Sequence, residues 1–257
     1  MKNSDVQISL NTAFEQQVNL WNIIGQNNTI HLLQILVDFY HAEKEEGKHT
    51  NFPSILLFGN DYSGKRTVSI ATHNSFGNQE FKETSGRVLG MGEDFKDFFI
   101  DNSTEHTTHY VSELDKMNSY NQNLIRHVIK DKVVPVFYPF KNKKETIPLH
   151  DRLIILSAKK PERILESINK CVDIYCFLNN EITKSHLYQI LQQRCKIMTW
   201  DVDKEILKTI ADVAIHSSQA VELLLLAYKI MRCKGESKIT ISHFNQALHL
   251  LNSNISE

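Results

Sequence analysis

The sequence predicts an α/β domain with a mostly parallel sheet, followed by a small all-helical domain. Three observations lead there. Short apolar runs alternate with helical patterns up to about residue 181. A GxxxxGK segment, Gly59-Asn-Asp-Tyr-Ser-Gly64-Lys65, stands between one such run and a helix. After Thr183 the strand pattern stops and only helical periodicity remains. Strand–helix alternation is the signature of a parallel sheet covered by crossover helices on both faces. The expected organisation is an arm over residues 1–20, the α/β domain over 21–181 and the helical domain over 182–257.

The arm is polar and rich in Asn and Gln. A helix follows from about Asn28 to Glu45, with Ile30, Leu33, Ile35, Leu36 and Phe39 forming its apolar face. The charged stretch EKEEGKHTN reads as a solvated loop. Ser54-Ile-Leu-Leu-Phe58 is a buried-type strand, and a helix is expected from Lys65. His109-Tyr110-Val111 is strand-like, and Asn121 to Ile129 is helical. Val133–Phe137 and Glu145–Ile147 flank the basic turn Lys141-Asn-Lys-Lys144, which reads as a hairpin. Leu153–Leu156 and Val172–Phe177 are further strands. Beyond them, Thr183 is a candidate cap of one helix, and Lys204 to His216 forms a second. Ser217 or Ser218 caps a third, running to Cys233. Thr240 or Ser242 caps a fourth, ending near Leu251.

Composition narrows the function classes. The 257 residues carry 29 Lys+Arg against 30 Asp+Glu, so no global field draws the chain to nucleic acid. With 41% hydrophobic residues it can build a core. The 4 cysteines have no CxxC spacing and read as reduced core thiols, which fits a cytoplasmic protein. The 12 histidines read as scattered surface residues and not as a metal site. The first residues lack the apolar run of a signal peptide, and no run is long enough to span a bilayer. Only 9 glycines occur, where average usage would supply about 18. Glycine lets backbone approach a ligand closely, so the pair in GxxxxGK stands out.

A phosphate loop needs glycines that free backbone N–H groups to cradle phosphates, a lysine to reach them and a Ser/Thr hydroxyl for Mg²⁺. Gly59, Gly64 and Lys65 meet the first two needs. Arg66 occupies the Mg²⁺ position, and Thr67 lies one residue late. Asp61 adds a negative charge where phosphate oxygens would lie. Lys65 also admits a second reading, as a local cap or ion-pair partner, and Asp115-Lys116 reads as a surface pair.

In order along the chain, NIIGQNNTI, ILLFGNDYSGKRT, ETSGRVLGMGEDF, THYVSELDKM and RLIILSAKK resemble the RuvB-like AAA+ ATPases, Holliday-junction branch-migration motors. The resemblance continues without gaps through the helical region to ITISHFNQALHLL, covering about residues 16–252. It implies an α/β nucleotide domain, a helical lid, and ATP as the ligand of Gly59, Gly64, Lys65 and Thr67. It also implies losses. Ser112 stands where the family has the magnesium-organising Asp, while Glu113 keeps the position of the water-activating Glu. Ala158 replaces the sensor-1 threonine, Asn169 the arginine finger and Gln219 the sensor-2 arginine. Gln16-Gln17 stand at the adenine-side Arg-Pro, and Tyr62 at a loop glycine. Arg194-Cys195 resembles the finger of clamp-loader subunits, but the gapless match puts Arg194 on the first lid helix.

The hairpin is where the family's motor contacts its partner RuvA. Here it carries Phe137, Tyr138 and Phe140 beside Lys141, Lys143 and Lys144, aromatic anchors with a cationic rim that suit a protein interface. The family's DNA-contacting winged helix would begin after about residue 252, so DNA contact is expected to be indirect. Phosphoryl transfer is almost wholly electrostatic positioning, and an arginine finger alone is worth roughly 10³–10⁵ in rate. The implied reading is a catalytically degenerate AAA+ module, a pseudo-ATPase without Mg²⁺, acting as scaffold or regulatory subunit. Its partner would be another AAA+ subunit or a RuvA-like protein, in recombination, repair or a mobile element. A weak DNA motor using Glu113, or an ATP-binding switch without hydrolysis, are the alternatives.

Overall fold

A computed structural model describes residues 12–89, 93–100, 106–138, 143–179 and 182–253. The chain divides into two compact units. One is Val18–Asn179; the other comprises the described residues of Met1–Gln17 and Asn180–Glu257.

The first unit is built on strands β1 (Ser54–Gly59), β2 (Glu80–Ser85), β3 (Thr107–Ser112), β4 (Val133–Tyr138), β5 (Lys143–Pro148), β6 (Leu153–Ala158) and β7 (Ile174–Leu178). Five of them form one parallel sheet in the order β2-β3-β6-β1-β7. Side chains alternate across its two faces, as strand geometry dictates. Leu56, Phe58, Val111, Ile154 and Leu156 join Phe95, Phe99, Leu124, Ile125 and Val128 of helices Glu93–Ile100 and Ser119–Lys130 in one buried cluster. On the opposite face the Tyr110 hydroxyl meets Ser157 Oγ at 2.9 Å. His73 of helix Lys65–Ser75 reaches Thr108 Oγ1 there at 2.8 Å.

β2 is polar (EFKETS) and carries no apolar run, because it lies at a sheet edge where half its surroundings are solvent. The first long helix, Asn27–Glu45, buries Ile30, Leu33, Val37 and Tyr40. Ile35 and Phe39, expected on that face, are exposed instead. Tyr40 stacks on Phe52 and anchors the helix, at a ring separation of 4.7 Å. β4 and β5 form the expected antiparallel hairpin, in register from Val133↔Pro148 to Tyr138↔Lys143. Val134 and Val136 turn into the main core. Phe140 and Lys141 lie outside the described residues. Phe137, Tyr138, Lys143 and Lys144 are described by their backbone pairing alone.

The helical unit contains Lys184–Met198, Lys204–Val213, Ser217–Cys233 and Ile241–Ser253. Leu187, Leu191, Ile206, Ile210, Leu223, Leu224 and Phe244 form its core. Thr183 and His186 cap the first helix reciprocally. The second helix ends at Val213, short of the expected His216, because His216 caps the third: its Nδ1 accepts the Gln219 N–H at 3.1 Å. A short parallel bridge, β8 (Asp201–Val202) with β9 (Lys238–Ile239), was not legible as strand. Arg194, on the first of these helices, is buried with its guanidinium over the Phe14 ring, 4.5 Å from the centroid.

Two compositional readings need correction. Cys176 and Cys195 are buried, but Cys233 is exposed. His73, His109 and His243 are core residues and not surface ones. Among the described residues no group of His, Cys, Asp and Glu is placed to hold a metal. Among them, too, no helix is long and apolar enough to cross a membrane.

Candidate nucleotide site

The phosphate loop begins where β1, next to the β7 edge of the sheet, runs out. Gly59 is sterically required there: a Cβ would lie 2.5 Å from Ser63 Oγ and 2.9 Å from the Leu178 carbonyl oxygen. Gly64 sits at φ 88°, the left-handed turn that launches helix Lys65–Ser75. Tyr62, where the RuvB-like loop has glycine, takes φ 63° and leaves its ring exposed. That conformation costs an L-residue roughly 1–2 kcal/mol. Gln26 of the IGQ stretch staples the loop from outside. Its Nε2 donates to the Ser63 carbonyl at 3.4 Å, and its Oε1 accepts the Asn179 N–H at 2.8 Å.

The charged groups of the loop are paired within the chain, whereas the buried Ser63 hydroxyl has no partner among the described residues. Lys65 Nζ donates to the Gly59 and Asn60 carbonyls, both at 2.7 Å. The ammonium is therefore folded back on its own loop. Burial pushes its pKa below the usual lysine value, with Asp61 and Asp115 opposing. Arg66 turns to β2, where its Nε donates to both carboxylate oxygens of Glu83 at 3.0 and 2.8 Å. Thr67 is exposed. Asp61 pairs with Lys159, the residue after β6, at 2.5 Å. Lys159 holds the Asp61 carboxyl below the usual carboxylate range.

The β3 end is organised in the same way. Ser112 Oγ donates to the Thr84 carbonyl at 3.1 Å, so its hydroxyl serves the sheet edge. Glu113, at φ 51°, accepts Ser85 Oγ and Arg87 Nε, each at 2.9 Å. Asp115, expected on the surface beside Lys116, is buried; its Oδ1 accepts the Lys159 N–H at 3.2 Å, and its Oδ2 has no partner among the described residues. Ala158 is buried at the end of β6 and offers only a methyl group.

These residues enclose a cleft of ≈ 120 Å³ lined by Asp61, Lys65, Arg87, Glu113, Asp115, Lys116, Ala158 and Lys159. Pockets for drug-sized ligands typically measure about 300–1,000 Å³. The residues do not fit a magnesium–triphosphate group. Arg66 and Ser112 are turned away from the cleft, and Lys65 and Glu113 are already paired. Of the expected site residues, the structure brings Lys65, Glu113 and Ala158 together in this cleft. Asn169 lies apart, its carbonyl accepting the Tyr175 hydroxyl. Neighbouring Lys170 pairs with Glu166 at 2.7 Å on the surface. In the helical unit, Gln219 Oε1 accepts the Ile215 N–H at 2.7 Å and serves its own helix start. Gln26, Arg87, Asp115 and Lys159 escaped sequence reasoning as site residues. The stretch RLIILSAKK held the signal for Lys159, a lysine directly after a buried strand.

No protein-family model matches the chain, and no curated protein sequence does. Solved structures do. The RuvB Holliday junction branch migration motor of Thermotoga maritima superposes with a TM-score of 0.68 at 17% identity, over 93% of this chain and 74% of that one. A mutant of the same RuvB gives 0.70 at 18% identity, with the same coverage of 93% and 74%. The ORC2 protein of Aeropyrum pernix, solved as ADPNP–ADP complexes, gives 0.62 at 11% identity, over 85% of this chain and 67% of that one. The chain thus has the AAA+ fold: a P-loop α/β domain with a five-stranded parallel sheet and an accompanying helical domain.

Proposed function

We propose that this chain is a catalytically degenerate AAA+ module that works as an assembly, scaffold or regulatory subunit. The setting proposed is DNA recombination, repair or a mobile element, by likeness to the RuvB motor. One observation carries the reading: the charged side chains Lys65, Arg66 and Glu113 are all engaged within the chain. Lys65 holds loop carbonyls, Glu113 holds Ser85 and Arg87, and Arg66 holds Glu83. A transition state for phosphoryl transfer needs preorganised groups aimed at the developing charge. Here those groups are bonded to loop carbonyls and to neighbouring strand and turn residues. The surface proposed to do the work is the β4–β5 hairpin, with Phe137, Tyr138 and Phe140 as anchors and Lys141, Lys143 and Lys144 around them. Its partner would be another AAA+ subunit or a RuvA-like protein.

Turnover of ATP with and without Mg²⁺ and branched DNA tests the first half of the proposal. None is expected; turnover abolished by Glu113→Gln would overturn it. For the second half, Phe137→Ala/Tyr138→Ala should release whatever protein co-purifies with the wild type. Pull-downs unaltered by that double substitution would remove the hairpin from the proposal.

A further inference from the structure

We infer that Asp61 acts as an internal anion of the phosphate loop, so that its ion pair with Lys159, added to the inward bonding of Lys65, keeps phosphate-bearing ligands out of a loop whose glycines are in place. The inference rests on the degenerate-module reading and specifies how that site is regulated.

The loop keeps the backbone features of a phosphate cradle. Gly59 preserves the close approach, Gly64 preserves the left-handed turn, and Lys65 opens an 11-residue helix. Helix N-termini of this kind attract anions through their unpaired N–H groups. An anion is already in place nearby. Asp61 belongs to the loop itself, and Lys159 clamps it from 98 residues away in sequence. Lys159 is in turn fixed through its backbone N–H by the buried carboxylate of Asp115. Three ammonium groups act on the Asp61 carboxyl: Lys159 most strongly, then Lys65 and Lys116. Arg87, the fourth cation of the cleft, is taken by Glu113.

Charge decides the consequence. The cleft is lined by four cations (Lys65, Arg87, Lys116, Lys159) and three carboxylates (Asp61, Glu113, Asp115). Only Asp61 lies within the loop, where it would face an incoming phosphate directly. Neutralising it removes a like-charge repulsion and frees Lys159 in one step. Lys159 would then join Lys65 and Lys116 in a cleft whose remaining carboxylates are Glu113, held by Arg87, and Asp115. Removing Lys159 instead would leave the Asp61 charge in place.

The experiment uses the full chain and two probes, ADP and inorganic phosphate, without Mg²⁺. Binding is read by calorimetry and by thermal shift at low and high salt. Wild type should bind neither probe at millimolar concentration. Asp61→Asn should bind ADP at least about tenfold more tightly than wild type, with an affinity that falls as salt rises. Lys159→Met should gain nothing, and added to Asp61→Asn it should abolish the gain. Circular dichroism verifies that each variant folds. A folded Asp61→Asn variant as blind to both probes as wild type overturns the inference. So does wild-type binding that Asp61→Asn leaves unchanged. ATP turnover by wild type is a separate outcome: it overturns the degenerate-module reading itself.

Discussion

Replacing Lys65 by methionine should lower the thermal stability of this protein. In a working phosphate loop, where the lysine reaches outward, the same change mainly removes ligand affinity. Here the ammonium donates two bonds of 2.7 Å to the Gly59 and Asn60 carbonyls. Hydrogen bonds involving a charged group contribute a net ~1.5–3 kcal/mol each when well shielded. Lys65 is only half-buried, and desolvation already opposes its charge. Discounting for solvent screening leaves about 1–2 kcal/mol for the two bonds together. Methionine keeps most of the aliphatic stem, so packing changes little. For a chain of this size 1 kcal/mol corresponds to roughly 2–4 °C in Tm. The expected fall is therefore about 2–8 °C by differential scanning calorimetry, without added ligand. A Tm unchanged within about 1 °C would show that the two bonds merely exchange with water, and would refute the picture of a lysine held by its own loop.

Acid should destabilise the fold through two core histidines. Burial holds His73 down at about 4 and His109 down at about 3, against an ordinary 6.5. Because the folded values are depressed, the unfolded chain takes up protons first, so stability is full above about pH 6.5 and is lost as pH falls toward 3. At pH 5 each histidine should cost about 2 kcal/mol; urea midpoints against pH would show this slope, and His109→Phe should flatten it. Tyr62→Gly should leave stability unchanged or raise it by up to about 1.5 kcal/mol. Relief of ~1–2 kcal/mol of left-handed strain outweighs ~0.5–1 kcal/mol of added chain entropy. A lower Tm for that variant would mean that contacts of the ring matter more than its backbone.

The sheet was legible where burial on both faces writes continuous apolar runs, as in Ser54–Phe58 and Leu153–Leu156. It was not legible at β2, whose polar residues face solvent at the sheet edge. The first helix shows a different limit. Its sequence offers two apolar stripes, and only the packing of Tyr40 against Phe52 and Phe76 selects the one through Ile30, Leu33 and Val37. At the site, the departures at Arg66, Ser112, Ala158 and Gln219 were visible as residue types out of place. Their new partners were not, because Glu83, Thr84 and Ile215 become neighbours only through sheet order and helix capping. Asp115 was misjudged for a related reason. A carboxylate beside a lysine looks solvated in sequence, yet the turn after β3 places it under the backbone of Lys159.

The contact between Arg66 and Glu83 has a bearing on how this module can change over generations. β2 has few apolar side chains to hold it, and the arginine at the start of helix Lys65–Ser75 grips it from above. A hydroxyl at position 66 would take one step toward a metal site and, in the same step, remove an ion pair from an outer strand that its ladder with β3 would still hold. Neither Ser112 nor Ala158 would yet supply its share of the chemistry. If the module is degenerate as proposed, such a substitution would weaken an edge contact before it could add any activity.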